Sequence, residues 1–418
     1  MAATEDHPPT RTTGRWQAAR QFLGLRRSIV GLLAMVVLVG LGERIPERFL
    51  PVYLQAVGGG TLAIGLLQAL SNLLNALYSY PGGYLSDRLG AKRALLVFNL
   101  MAMAGFAIVV AIPTWQAVLV GAVLFLAWEG VSLPATMHLV ADVLPATQRT
   151  MGVSMHSLVR RIPMALGPVL GGLLIARWGE RDGVRLAFAI ALVLAGAAIV
   201  LQQRLIAPTQ PTGLGAKERS WIRNHPLRLL REMSPALRGL LISDILIRFC
   251  EQIPYAFVVI WCMKIVAAPV DAPQFGALTA IEMAAAVVCY VPVAYFADRS
   301  GKKRFVVLTF VFFTLFPLVL WYCQSFWPLA AAFVLRGLKE FGEPTRKALI
   351  VDLCPAERRA TMFGFYYLLR DLIVSLAALG GAFLWQISPA TNLLTAFACG
   401  LLGTLCFALF GRDLRRAP

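Results

Sequence analysis

Residues 84–93, YLSDRLGAKR, recur as residues 295–304, YFADRSGKKR. Both copies have a tyrosine three residues before an Asp-Arg pair, a glycine three residues after the aspartate, and a basic end. Each copy directly follows a long apolar run. A polar motif repeated in this setting indicates that the chain consists of two related halves.

Two further matches recur at nearly the same offset. Residues 43–46, ERIP, match residues 251–254, EQIP. The second match pairs Asp142, Pro145 and Arg149 with Asp352, Pro355 and Arg359. Three matches at almost one offset predict a parallel repeat of two halves, an architecture that places a solute site between the halves.

The composition is that of a membrane protein. Of the 418 residues, 58% are hydrophobic and 15% are charged, and the mean hydropathy is +0.69. Soluble domains carry about 25% charged residues, so lipid must solvate much of this chain. The net charge of +17 does not indicate a nucleic-acid binder, because such a protein presents its basic residues on one face of a globular domain.

A membrane-spanning helix needs roughly 20 apolar residues, and twelve runs qualify. The predicted spans 1 to 12 cover residues 28–54, 61–84, 94–113, 115–139, 152–176, 186–203, 237–263, 274–297, 305–323, 328–350, 362–386 and 391–411. The predicted organisation is an N-tail (1–27), a first six-helix bundle (28–203), a central loop (204–236), a second bundle (237–411) and a C-tail (412–418).

The distribution of Lys and Arg predicts the orientation. Most of the 39 cations lie in the two tails and in the loops after spans 2, 4, 6, 8 and 10. The opposite loops hold only Arg177, Arg181, Arg185 and Lys264. Because basic loops stay in the cytoplasm, both termini are predicted to be cytoplasmic, with the chain in the plasma or inner membrane and in contact with lipid.

The first motif, GxLxDRxGxKR over residues 83–93, resembles the signature between helices 2 and 3 of the major facilitator superfamily. Residues 298–304, DRSGKKR, resemble its weaker second copy, and together with the spans the resemblance covers essentially the whole chain. It implies an all-α membrane fold of twelve helices in two six-helix bundles. It also implies that the motif acts as a cytoplasmic latch between the halves. The latch residues are Gly83, Asp87, Arg88, Gly90, Arg93, Asp298, Arg299 and Gly301.

Many charged residues fall inside the predicted spans. Each costs roughly 2.5–3.5 kcal/mol at a lipid-facing helix centre, so most must face water or one another. The resemblance implies that spans 1, 4, 7 and 10 line the solute path. The candidates for binding solute or protons are Glu43, Glu47, Arg48, Glu129, Arg160, Arg248, Glu251, Arg336, Glu340, Glu343, Arg370 and Asp371.

Helical spacing predicts several ion pairs among these charges. Arg44 and Glu47 are three residues apart. Asp244, Arg248 and Glu251 form one stripe. Arg336 has the spacing to reach Glu340 and Glu343, and Lys339 the spacing to reach Glu343.

Span 5 contains Gly167-Pro168-Val169-Leu170-Gly171-Gly172, which is similar to the core of the antiporter motif of drug:proton exporters in this superfamily. The upstream glycines of the full motif are replaced by Ser154 and Pro163. Small residues also permit close helix packing without any role in antiport, and both interpretations stay open.

The first functional hypothesis is proton-coupled export of a small solute by a monomeric transporter. An uptake permease for a polar or charged solute is the alternative, because the membrane charges are unusually many. A non-transporting scaffold on the same fold is a third. No nucleophile–base pair, metal cluster or phosphate loop occurs in the sequence, so neither an enzyme nor a cofactor is expected.

Overall fold

The computed structural model describes residues 27–126, 159–207, 226–300, 302–354 and 359–411, and these contain helices and connections but no strand. The N-terminal half contains α1 (Arg27–Glu47), α2 (Leu50–Ala56), α3 (Thr61–Leu89), α4 (Ala91–Ala111), α5 (Trp115–Phe125) and α6 (Arg161–Leu205). The C-terminal half contains α7 (Pro226–Glu232), α8 (Pro235–Tyr255), α9 (Val258–Ile260), a π-helical turn (Trp261–Ile265), α10 (Ala272–Ser300), α11 (Lys302–Tyr322), α12 (Phe326–Leu338), a 3₁₀ turn (Lys339–Gly342), α13 (Glu343–Leu353), α14 (Arg359–Ile387) and α15 (Pro389–Phe410).

Six of these helices are long and apolar enough to cross a membrane, and α8 with the bent segment after it would make a seventh. The fold is therefore an all-α membrane fold, while twelve spans and cytoplasmic termini stay predictions. The 45-residue α6 contains a reversal at Gly179, whose φ of 81° is a conformation that glycine tolerates best. Gly179 lies between predicted spans 5 and 6.

The repeated ERIP and EQIP sequences break a helix in each half. Pro46 lies in the last turn of α1 and Pro254 in the last turn of α8. A proline inside a helix lacks the N–H that the preceding turn needs and bends the helix. In both halves a second short helix continues after the break, so the structure repeats the sequence match.

Predicted span 10 is also interrupted. The helix α12 ends at Leu338, the 3₁₀ turn Lys339–Gly342 follows, and α13 resumes at Glu343. A 3₁₀ turn advances about three residues per turn instead of 3.6, so side chains on either side of it do not keep α-helical alignment.

The predicted central loop, residues 204–236, contains one helix in its described part. This helix, α7, buries Leu229 in the core of the C-terminal half, together with Leu240 of α8 and Tyr366 of α14. At least this end of the segment is therefore part of the C-terminal bundle.

The two halves pack closely through small residues. Gly172 of α6 lies against Ala272 at the start of α10, and Gly276 lies against the backbone of Pro168. Gly65 of α3 lies against Ala382 of α14. All three contacts lie near the helix ends that the charge distribution places outside. The halves are thus joined at that end.

Candidate functional site

A cavity of about 330 Å³ lies between the two halves. Nine charged side chains line it: Arg44, Glu47, Arg48, Arg248, Glu251, Glu282, Arg336, Lys339 and Glu340. Neutral polar side chains complete much of the wall: Gln68, Ser71, Asn72, Asn75, Gln252 and Tyr255. The N-terminal half supplies mostly amides and a hydroxyl, whereas the C-terminal half supplies most of the charges.

The proline breaks position two residues at the centre of this cavity. Arg48 lies in the break between α1 and α2, and Tyr255 is the last residue of α8. The guanidinium carbon of Arg48 lies 5.3 Å from the ring centroid of Tyr255, and that of Arg336 lies 5.4 Å from the same centroid. Both distances are within the range of a cation–π contact.

Polar contacts cross between the halves along the cavity wall. The Oε1 atom of Gln252 accepts hydrogen bonds from Gln68 Nε2 and Asn72 Nδ2, both at 3.1 Å. Arg48 Nη2 lies 3.7 Å from Glu282 Oε2. Each of these contacts joins the N-terminal half to the C-terminal half.

Ion pairs connect the charged side chains of the C-terminal half. Glu251 accepts hydrogen bonds from Lys339 Nζ at 2.7 Å and from Arg248 Nη1 at 2.6 Å. Arg248 Nη2 lies 3.3 Å from Glu343 Oε2. Lys339 and Arg336 also approach Glu282, at 3.8 Å and 3.4 Å.

The same network extends away from the cavity into the bundle. Arg346 donates to both carboxylate oxygens of Glu343 at 2.7 Å and also to Asp244. Asp244 further accepts from Tyr366 Oη at 3.0 Å and from Arg370 Nη1 at 3.4 Å. The Arg346 side chain is 2% exposed and that of Asp244 is 0% exposed, so this part is excluded from solvent.

Two ion pairs predicted from spacing are confirmed. Arg44 Nη1 lies 2.6 Å from Glu47 Oε2, and Arg248 pairs with Glu251 as the stripe on span 7 predicted. Asp244, the third residue of that stripe, pairs instead with Arg346 and Arg370.

The pairs predicted within span 10 are wrong. Arg336 contacts Glu282 of α10, and Lys339 contacts Glu251 of α8 as well as Glu282. Glu343 pairs with Arg248, Arg346 and Lys347. The cause is the 3₁₀ turn at Lys339–Gly342: Lys339 and Glu340 lie within it, and side chains within and across it do not keep the α-helical spacing on which the predicted pairs depend.

The candidate residues fall into three groups. Six line the central cavity: Glu47, Arg48, Arg248, Glu251, Arg336 and Glu340. Glu43 and Arg160 line a separate small recess between α1 and α6. Glu343, Arg370 and Asp371 belong to the ion-pair network beside the cavity. The remaining candidate, Glu129, lies outside the described residues.

Sequence reasoning missed Glu282, Lys339 and the polar residues of α3 as cavity residues. Glu282 and Lys339 are charged residues inside predicted spans, and this property alone was sufficient reason to include them among the candidates. The rule that spans 1, 4, 7 and 10 line the path excluded Glu282, because α10 corresponds to span 8. Arg346 was not counted as a membrane charge, although the structure buries it.

The latch motifs end two helices. Asp87 and Asp298 lie in the last turn of α3 and α10, and Gly90, with a φ of 79°, permits the sharp turn into α4. Gly83 and Arg88 also lie on α3, with Arg88 exposed, while Arg93 lies in the first turn of α4 and Arg299 in the last turn of α10. Gly301 and the side chains of both aspartates lie outside what the structure describes.

Basic residues of both motif copies bind polar groups of their own half. Lys92 Nζ donates to the carbonyl oxygen of Gln203 at 2.9 Å. Lys302 Nζ lies 2.5 Å from Asp352, which belongs to another of the repeated matches. Two of the repeated motifs are thus in direct contact within the C-terminal half.

The span 5 motif, on α6, is a packing surface. Gly167 and Gly171 lie against the α1 backbone at Arg44 and Ile45, whereas Gly172 lies against α10 of the other half. Pro168 approaches Gly276 of α10 and also lines the cavity. The packing interpretation of this motif therefore has direct support in the geometry.

A family model described as Major Facilitator Superfamily matches residues 32–268 and 240–418. The uncharacterized MFS-type transporter YqjV of Bacillus subtilis is 34% identical over 127 residues, which are 29% of this chain and 30% of that protein. The uncharacterized MFS-type transporter MJ1317 of Methanocaldococcus jannaschii is 22% identical, over 85% of this chain and 88% of that protein. The class E tetracycline resistance protein of Escherichia coli is 26% identical, over 55% of this chain and 56% of that protein.

Solved transporter structures share the fold. The nucleoside transporter NupG superposes with a TM-score of 0.75 and 14% identity, over 93% of this chain and 100% of that chain. The peptide transporter POT gives a TM-score of 0.75 and 14% identity, over 92% of this chain and 93% of that chain. At this identity the likeness concerns the fold alone.

Proposed function

The chain belongs to the major facilitator superfamily of transporters, and we propose that it exports a small charged or zwitterionic solute in exchange for protons. The solute would bind in the cavity between the halves and cross the membrane by alternating access. The observation that carries the proposed solute class is the cavity wall, where five cations and four carboxylates meet neutral polar groups.

The size of the cavity limits the solute. Ligand pockets occupy roughly 300–1,000 Å³, and a cavity of about 330 Å³ is at the small end of that range. A wall with so many charged groups favours a ligand that can replace their hydration with ionic contacts. A small polar solute fits these properties better than a large apolar drug.

The contacts between the halves support alternating access. Gln68 and Asn72 meet Gln252 through single hydrogen bonds at the cavity, and Lys264 meets Glu180 at 3.0 Å near the outer ends. The Lys264–Glu180 pair is partly exposed to solvent and contributes little stability. Such polar contacts can break and form again when the halves move, while apolar contacts such as that of Phe49 with Phe275 also join the halves.

Export is supported by the name of one relative, a tetracycline resistance protein, and by the likeness of the span 5 motif to antiporters. Uptake is the second candidate. The ionic wall of the cavity favours it, since a nutrient permease for a charged solute needs such a wall. A scaffold without transport is the third.

Transport in proteoliposomes with an imposed pH gradient separates the three candidates. Solute movement opposite to the protons supports export by antiport, and movement with the protons supports uptake by symport. The absence of transport for every polar solute in a broad panel would support the scaffold and contradict the proposal.

We expect Glu340→Gln to retain solute transport but to remove its dependence on the pH gradient. Glu340 lines the cavity and makes no ion pair with a residue that the structure describes, so its carboxylate is available to take up and release a proton. The measurement is solute flux at equal and unequal pH, with Asp182→Asn, the loss of an exposed carboxylate near the reversal of α6, as the control. A flux that keeps its full response to the gradient would exclude Glu340 as the coupling group.

We expect Asp87→Asn to leave the protein folded and to slow transport several-fold. Asp87 lies at the C-terminal end of α3, where the helix dipole disfavours a carboxylate. A carboxylate at this position requires partners that can be present in one conformation and absent in the other. Initial rates in proteoliposomes and thermal unfolding in detergent test the prediction together, and an unchanged rate contradicts the latch.

A further inference from the structure

We propose that Arg48 and Arg336, one from each half, bind the anionic group of the solute between them. This inference rests on the proposed function of the cavity as the solute site. It assigns the chemical class of the group that binds there: a carboxylate, phosphonate or sulfonate on a small organic molecule. It also assigns two residues that determine this specificity.

The cavity cations differ in whether their donors are already occupied. Arg44, Arg248 and Lys339 each donate to a carboxylate oxygen at 2.6–2.8 Å. Arg48 and Arg336 make no such bond within the described parts of the chain: their nearest carboxylate oxygens lie at 3.7 Å and 3.4 Å. These two guanidinium groups therefore have donors available for a ligand.

Glu282 is the carboxylate nearest to both of them, and it is poorly bonded. Its side chain is 1% exposed, yet neither of its oxygens has a hydrogen-bond partner among the residues that the structure describes. A buried carboxylate without a hydrogen bond is costly, and its retention here indicates that it balances nearby positive charge. One carboxylate faces two guanidinium groups, since Lys339 also binds Glu251. An excess of one positive charge remains for an incoming anion.

Aromatic rings hold the two guanidinium groups while leaving their edges free. The Tyr255 ring contacts both groups, and Arg336 also lies 5.1 Å from the centroid of Phe316 and 5.6 Å from that of Phe333. Contacts with ring faces fix the position of a guanidinium without using its N–H donors. Those donors form the planar fork that matches the oxygens of a carboxylate or phosphonate.

The position of the pair also links binding to conformation. Arg48 belongs to the N-terminal half and Arg336 to the C-terminal half, so an anion held by both joins the halves at the cavity. Alternating access changes the position of one half relative to the other, and with it the distance between the two arginines. Both can therefore bind the same oxyanion in only one of the states. The solute is thus bound most tightly in the state that the structure shows.

The experiment uses purified full-length protein in detergent and isothermal titration with three anions: benzoate, phenylphosphonate and benzenesulfonate. Benzylamine is the cationic control. We expect at least one of the three anions to bind saturably. Benzylamine should not bind at this site. Arg48→Gln and Arg336→Gln should each weaken the anion about 10–100-fold, the effect of losing charge-assisted hydrogen bonds.

Two further variants make the test specific. Glu282→Gln should tighten the anion several-fold, because it removes a competing negative charge, whereas a purely structural role predicts weaker binding. Arg238→Gln should leave binding unchanged, because Arg238 is exposed and its guanidinium donates to the backbone oxygen of Arg231, away from the residues that line the cavity. The proposal is overturned if no anion binds, or if Arg48→Gln and Arg336→Gln bind it as tightly as the native protein.

Binding and flux measurements together distinguish an incorrect anion site from an incorrect transport function. Transport of a neutral or cationic solute, without anion binding, would overturn the anion site and leave the transporter intact. Saturable anion binding that needs both arginines, without flux in proteoliposomes, would support the site and contradict transport.

Discussion

Arg346→Met is expected to lower the free energy of unfolding by about 3–5 kcal/mol, the cost of breaking a buried ion pair by removing one partner. Arg346 binds Asp244 and Glu343, and its side chain is 2% exposed. Without it, Asp244 keeps Tyr366 and the longer contact to Arg370. Methionine has a similar length and cannot donate a hydrogen bond, so the loss reflects the charge more than the volume.

Thermal unfolding in detergent and the yield of monodisperse protein measure this effect. The matched variant is the double replacement Arg346→Met with Asp244→Leu, which removes both charges and leaves Glu343 with Arg248 and Lys347. Apolar replacement of a whole buried pair is often neutral or stabilising, so the double variant should recover much of the loss. A double variant that is less stable than Arg346→Met would show that the unpaired charge of Asp244 is not the cause of the lost stability.

Gly172→Ala is expected to disfavour the closed arrangement of the outer ends by about 1–3 kcal/mol, the cost of overpacking a tight contact. A β-carbon at this position would lie 2.3 Å from the carbonyl oxygen of Ala272 and 2.7 Å from its carbonyl carbon. Both atoms belong to the backbone and cannot rotate away. Because the contact joins the two halves, the strain is relieved when the halves separate at this end.

Spin labels at Ile112 and Ile387 measure the separation directly, since both side chains are exposed and lie near these ends of the two halves. We expect the short-distance population to fall and the transport rate to fall about tenfold with it. Gly196→Ala is the matched control, because Gly196 is also on α6 and a β-carbon there meets no atom within 4 Å. Equal distance distributions in the two variants would contradict a closed state that depends on Gly172.

The sequence predicted the family, the internal repeat and two of the short-range ion pairs. The repeated ERIP and EQIP sequences correspond to two similar helix breaks, because a proline acts locally on its own helix. Arg44–Glu47 and Arg248–Glu251 were predictable for the same reason, since three residues within one α-helix fix the distance between the side chains.

The predictions failed where partners come from different helices. Glu282 on α10 contacts Arg48, Arg336 and Lys339 across helix interfaces that spacing along one helix cannot reveal. The 3₁₀ turn of residues 339–342 changed the partners of the span 10 charges, and Pro344 just after it, which removes a helical hydrogen bond, was the signal of this irregularity. Arg346 was not among the predicted site residues, because its buried partner Asp244 lies on α8 and spacing along one helix cannot reveal it.

The ion-pair network of the C-terminal half also has an electrical consequence. Apart from Lys347, whose side chain is 53% exposed, five cations and five anions of the described residues take part: Arg248, Arg336, Lys339, Arg346 and Arg370 with Asp244, Glu251, Glu282, Glu343 and Asp371. The membrane potential does work of about 2.3 kcal/mol per 100 mV on each elementary charge that crosses it. A rigid group whose charges cancel moves through that field at almost no net work. The voltage dependence of the cycle is then set by the charges of the solute and the coupling ion, so current measured per solute molecule would report their stoichiometry.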